Sequence, residues 1–147
     1  MTFSIVARCA RTGMLGVAVL SSSPAVAARC AYARARVGAV GSQNITDPTL
    51  GPRLLDVMAL GATAPEALCI VVGSVAHIAF RQLIAVDSVG RTGVFYGSKT
   101  LGTYAAAEGE SAADLAHGFV FARWFRNAAS PASETSTHFL SGAASAT

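Results

Sequence analysis

The chain has 147 residues, 52% of them hydrophobic and only 13% charged, with a net charge of +3. That length suits one domain able to bury about 68–70% of its unfolded surface, and the apolar balance excludes a disordered chain while pointing to a homo-oligomer whose contacts cover part of the surface. The positive charge comes from arginines scattered from Arg8 to Arg126 plus Lys99, the sole lysine; without a basic stripe or recognition helix, nucleic acid is not an expected partner.

The first strand is read at Thr2-Phe3-Ser4-Ile5-Val6-Ala7-Arg8, where Phe3, Ile5 and Ala7 share one face at period two. Arg11-Thr12-Gly13 supplies a turn, and Leu15 to Leu20 is a short valine-bearing apolar run, read as a second strand buried on both faces and pairing antiparallel with the first. The same stretch has a rival reading. Arg8 and Arg11 precede Met14 to Leu20, and Ala25-Val26-Ala27 looks like a cleavage site, as in a secretory signal. Gly13 and Gly16 interrupt the run and Ser21-Ser22-Ser23 ends it, so the strand is preferred. No other run approaches the ~18 apolar residues of a membrane span, and no membrane partner is expected.

Residues 22–34 are ambiguous. Arg36 to Gln43 reads as a third strand ending in small residues. Asp47-Pro48-Thr49 then signals a helix over about 50–60, with Leu50, Leu54, Val57, Met58 and Gly61 on one stripe. Thr63-Ala64-Pro65-Glu66 opens a second helix over about 65–73 by placing a hydroxyl at the cap and proline and glutamate in the first turn. Gln82 to Asp87 and Thr92 to Tyr96 are two further strands around the turn Ser88-Val89-Gly90-Arg91. Strands in runs with a consecutive helix pair give an α+β class, helices layered on antiparallel sheet. From Ser111 the texture becomes Ala-, Ser- and Thr-rich; a helix over about 111–126 and a flexible tail over 127–147 are expected.

Taken together, Met1-Thr2-Phe3-Ser4-Ile5-Val6-Ala7-Arg8, Thr12-Gly13, Leu15-Gly16-Val17-Ala18-Val19, Val37-Gly38-Ala39-Val40, Gln43, Gly51-Pro52, Glu66-Ala67-Leu68, Arg81-Gln82-Leu83, Val86-Asp87, Gly90-Arg91 and Gly97 to Thr103 resemble the bacterial and archaeal family called domain of unknown function 1028. The resemblance spans residues 1–110. It implies an αββα sandwich of the N-terminal nucleophile hydrolase type, and no established reaction. Cys9 stands where the family often has an acidic residue, and residues 21–33 match loosely. Past Gly109 the family continues with a cysteine and a Gly-Asn pair that this chain lacks. The organisation expected is therefore a domain over 1–110, incomplete at its C-terminus, followed by an atypical or truncated tail over 111–147.

Position two carries the chemistry. A threonine hydroxyl is a poor nucleophile without a base. Once Met1 is removed, a free α-amine titrating near ~7.7–8.0 can take its proton. Thr2 is thus the candidate nucleophile for hydrolysis of a small amide or peptide-like substrate. The resemblance implies that Ser21, ending the second strand where related enzymes place a supporting polar group, is the candidate support for that nucleophile. It also implies that the backbone amide of Gly41 or Ser42, at the end of the third strand where related sandwiches place such donors, is the candidate oxyanion donor. Arg34 and Lys99 are the cations able to act on the amine, although ordinary solvated charges are the plainer reading. Two other functions compete: a non-catalytic sandwich that binds a small molecule or forms an oligomer, and a truncated remnant without activity.

Cys9, Cys30 and Cys69 form no C-x-x-C pair, and His77, His117 and His138 have no metal spacing. No metal or cofactor is expected, and reduced cysteines suit a cytoplasmic protein.

Overall fold

The computed structural model describes residues 2–102 and 104–117. Eight strands form two four-stranded antiparallel sheets. One sheet has the order β2-β1-β8-β7, from Leu15–Ser21, Thr2–Arg8, Ala112–His117 and Tyr104–Gly109. The other has the order β3-β4-β5-β6, from Ala31–Arg34, Gly38–Asn44, Arg81–Asp87 and Thr92–Tyr96. Three α-helices, α1 (Ala27–Cys30), α2 (Leu50–Ala59) and α3 (Ala64–Val72), complete the described α+β fold, with a 3-10 turn at Ile78–Phe80.

Two apolar layers hold these parts together. Leu50, Leu54, Leu55 and Met58 of α2 and Ala67, Leu68 and Val71 of α3 pack on Val40, Leu83 and Ala85. The opposite side of the same sheet turns Ala39, Ile84 and Val86 onto Val6, Ala113 and Leu115 of the other sheet. Alternation along β4 and β5 therefore separates a helix-facing side from an inter-sheet side. Each fully buried leucine or valine here contributes about 1.5–3 kcal/mol relative to exposure.

Both long helices start and stop as their sequences direct. Thr63 accepts from the Glu66 backbone N–H at 3.2 Å while Glu66 accepts from the Thr63 N–H at 2.8 Å, a reciprocal capping box. Past the end of α2, Gly61 takes φ +103°, a conformation an L side chain rarely adopts, and its N–H closes on the Met58 carbonyl at 3.0 Å.

Several expectations change on folding. The hairpin of β1 and β2 forms with Thr2 opposite Ser21 and Arg8 opposite Leu15, and residues 15–21 are strand rather than signal helix. β2 is not buried on both faces, however. It is a sheet edge whose Gly16, Ala18 and Leu20 are exposed, because β1 covers only one of its sides and the partner sheet only one face. On β1 the deeply buried residues are Ser4 and Val6 rather than the Phe3, Ile5 and Ala7 set. The expected third strand forms as β4, starting at Gly38 because Arg36 sits in the preceding turn at φ 62°, and the ambiguous stretch before it supplies a further short strand, β3.

The largest correction concerns residues 112–117. A helix was expected there, yet Ala112–His117 is strand β8, inserted between β1 and β7. Its alanines fit the tight space between strands, and Leu115 fills the inter-sheet layer. The rest of the expected helix, and the expected flexible tail, lie outside the described residues. Among the described residues no helix is long and apolar enough to cross a membrane.

Candidate functional site

The hairpin register brings the first residue of β1 against the last of β2. Thr2 Oγ1 and Ser21 Oγ lie 2.8 Å apart, half-buried. Ser21 Oγ also accepts the Ser23 backbone N–H at 3.1 Å. Either hydroxyl can donate in the Thr2–Ser21 contact; when Ser21 donates, the Thr2 proton is available for transfer to a base.

Ser4 follows Thr2 on the same face of β1 and is buried. Gln43 Nε2 donates to Ser4 Oγ across the sheets and to the Leu115 carbonyl at 3.5 Å. Gly41 lies two residues back on the same face of β4. A Cβ there would stand 2.9 Å from Ile84 Cγ1, its cross-strand partner on β5, and 3.4 Å from Ser4 Oγ, so glycine leaves room for the Ile84 side chain between the sheets. In the ladder, Gly41 is paired between Ala31 and Ile84.

Ser42 has the opposite orientation. By alternation it joins Val40 and Leu83 on the helix-facing side, fully buried, and its hydroxyl has no hydrogen-bond partner among the described residues. Its backbone pairs with Leu83 of β5, one step past the last β3 pair, Ala31 with Gly41. Of the four residues singled out from the sequence, Thr2 and Ser21 therefore meet directly. Gly41 lies beside Ser4 on the Thr2 side, and the Ser42 side chain turns away.

Neither cation offered for the Thr2 amine is unengaged. Arg34 pairs with Asp56 at 2.8 Å, and Lys99 Nζ stands 5.6 Å from the centre of the Phe80 ring. Two surface cavities, about 310 Å³ between α3 and β6 and about 350 Å³ between residues 12–15 and 33–36, are lined by neither Thr2 nor Ser21. Among the described residues no group of three or more His, Cys, Asp or Glu is placed to hold a metal ion.

Three glutamine and serine positions were given no site role from the sequence, although all three stand in the stretches that carry the family resemblance: Ser4, Gln43 and Gln82. Gln82 is opposite Gln43 on β5, faces the inter-sheet layer with Ile84 and Val86, and lies opposite Tyr96 on its other side. The Tyr96 and Tyr104 rings, 5.4 Å apart, bridge the two sheets at this end. Burial pushes the Tyr96 hydroxyl above its ordinary pKa, helped by nearby Glu108. The sequence signal was present: one glutamine beside the apolar or small-residue run of each of two strands.

Asp87 explains another recognisable stretch. Its carboxylate accepts from the backbone N–H groups of Val89 and Arg91 at 3.0 Å each, from Ala64 N–H at 3.3 Å and from Arg91 Nε at 2.8 Å. It thus closes the β5–β6 turn and caps α3 at once. Burial would raise its pKa, but the Arg91 side chain and these N–H groups outweigh that and hold it below the ordinary carboxylate value.

The molecule is thus a two-sheet α+β sandwich with α2 and α3 on one sheet and a polar end between the sheets. A family model described as "Family of unknown function (DUF1028)" matches residues 2–120, and the chain belongs to that family. The crystal structure of protein SPO2555 from Silicibacter pomeroyi, assigned to the same family, is similar at 28% identity and a TM-score of 0.73. The match covers 78% of this chain and 53% of that one, so this chain spans about half the length of that protein. No curated protein matches the chain.

Proposed function

We propose that this protein is an amidohydrolase of the N-terminal nucleophile type, acting on a small amide or peptide-like substrate through Thr2. The observation that carries the reading is the 2.8 Å contact of Thr2 Oγ1 with Ser21 Oγ at the start of a strand facing the inter-sheet layer. With Met1 removed, the α-amine accepts the Oγ1 proton as Oγ1 attacks the substrate carbonyl carbon. The amine then delivers that proton to the leaving nitrogen as the C–N bond breaks. Water hydrolyses the resulting ester with the amine again as base, restoring Thr2. Ser21 donates to Oγ1 and steadies it as charge develops.

The two-sheet core with Thr2 leading a central strand and one helix layer on the β3–β6 sheet support the nucleophile-hydrolase reading; among the described residues the second helix layer of an αββα sandwich is not seen. Exposed Met14 and Leu20 on the β1–β2 hairpin favour a homo-oligomer, which light scattering would detect. The free state of Cys9, Cys30 and Cys69 fits a reducing, cytoplasmic compartment.

An electrophilic probe for terminal threonines tests the reaction. It labels Thr2 in the native protein, and labelling is lost in Thr2→Ala without loss of fold. Labelling at another residue, or undiminished labelling in Thr2→Ala, refutes the proposal.

A further inference from the structure

We propose that Gln43 and Gln82 form a recognition pair for the carboxamide or ureido end of a small-molecule ligand seated between the sheets. This deepens the reading of Thr2 as an amide-handling residue and rests on it. The two glutamines are direct cross-strand partners on β4 and β5, with side chains on the inter-sheet face. Gln82 is 0% exposed and Gln43 2% exposed.

The Gln43 amide turns its nitrogen toward the Ser4 hydroxyl and the Leu115 carbonyl. The Leu115 carbonyl can only accept, so the nitrogen faces it, and Oε1 is left without a partner. Among the described residues Gln82 has no partner at either Nε2 or Oε1. The open set is therefore two carbonyl acceptors and one NH₂ donor. A bond from Gln82 Nε2 to Gln43 Oε1 would satisfy one acceptor only, leaving Gln82 Oε1 and one N–H open. Buried polar groups in folded proteins are otherwise paired almost without exception.

Few ligand groups match this set. A primary carboxamide or a ureido group brings N–H donors for both glutamine oxygens and a carbonyl for the Gln82 N–H. A carboxylate brings acceptors alone and would strand both glutamine oxygens beside a buried charge. An ammonium brings donors alone. The pair is tied to the candidate nucleophile by Gln43, whose amide holds Ser4, two residues along β1 from Thr2 and on its face.

The test uses the full chain carrying Thr2→Ala, so that binding is read without turnover. The probes are N-carbamoylglycine and glutaramic acid, with monomethyl glutarate as the ester lacking N–H groups. Titration calorimetry and the side-chain amide signals of ¹⁵N-labelled protein give the readouts. The proposal predicts that both N–H-bearing probes bind at least about tenfold more tightly than the ester, because an analogue without the donors leaves buried acceptors unpaired. It also predicts that they shift the Gln82 side-chain amide signal, and that Gln82→Leu removes the preference. Equal binding of ester and amide, or no binding of the amides, overturns the pair. An unmoved Gln82 signal on binding does the same without needing any glutamine variant to fold. Because Thr2 is already absent, failure here leaves the labelling test of Thr2 untouched.

Discussion

Replacing Asp87 with alanine removes one acceptor group that serves two elements. The buried Ala64 N–H, at the start of α3, loses its 3.3 Å partner. A buried donor left unsatisfied costs about 1–3 kcal/mol. The Val89 and Arg91 N–H groups belong to exposed residues, so water replaces much of what they lose. The Arg91 side chain is 56% exposed, and its ion pair adds about 0–1 kcal/mol. A loss of about 1–4 kcal/mol in unfolding free energy follows, and Asp87→Asn, which keeps one carbonyl oxygen, should cost less. Urea unfolding followed by circular dichroism measures both. The pH dependence has a definite sign. The folded pKa of Asp87 is depressed, so its contribution is complete above the unfolded value and is lost as pH falls through the folded value. The gap between wild type and Asp87→Ala should therefore be widest near neutrality and shrink in acid. A loss below about 0.5 kcal/mol, or a gap that does not change with pH, would refute the assignment of Asp87 as the clamp joining turn and helix, since a buried Ala64 N–H left unpaired is costly.

Asp114 behaves in the opposite sense. Burial pushes its pKa up to about 6, so folding loses stability as pH rises from the unfolded value through that point. Asp114→Asn should raise the melting temperature above pH 6 and leave it unchanged below about pH 4, which a pH series of thermal melts would show. Leu54, fully buried between α2 and the sheet, should tolerate aspartate poorly. Leu54→Asp is expected to cost several kcal/mol, on the order of 3–5, by chemical denaturation, as a buried unpaired charge demands. Gly41→Ala should destabilise by about 1–3 kcal/mol through the contacts its Cβ would make with Ile84 and Ser4, and a chevron analysis would report it.

The elements readable from sequence are those whose signals are local. The alternation in β1, the apolar run of β5, the stripe of α2 and the Thr63-Ala64-Pro65-Glu66 start of α3 each act within a few residues, and each element forms near its expected bounds. β8 was missed because alanine-rich Ala112–His117 has a helical propensity and no strong period-two pattern. Its strand state comes from pairing with β1, more than 100 residues earlier in the chain. The burial of β2 was overstated because an apolar run does not reveal whether its strand is central or edge. The site divides along the same line. Thr2 and Ser21 meet because one hairpin pairs the two ends of its strands. Gln43 and Gln82 meet through β4–β5 pairing across two intervening helices, and nothing near either glutamine announces the other.

Intact-protein mass spectrometry of the natively expressed chain tests the central claim most directly. The account predicts a mass lacking Met1, with a free Thr2 amine that captures a terminal-threonine electrophile in a one-to-one adduct lost in Thr2→Ala. Retention of Met1 in the native protein would contradict it, because an amine locked in a peptide bond cannot take the Thr2 proton.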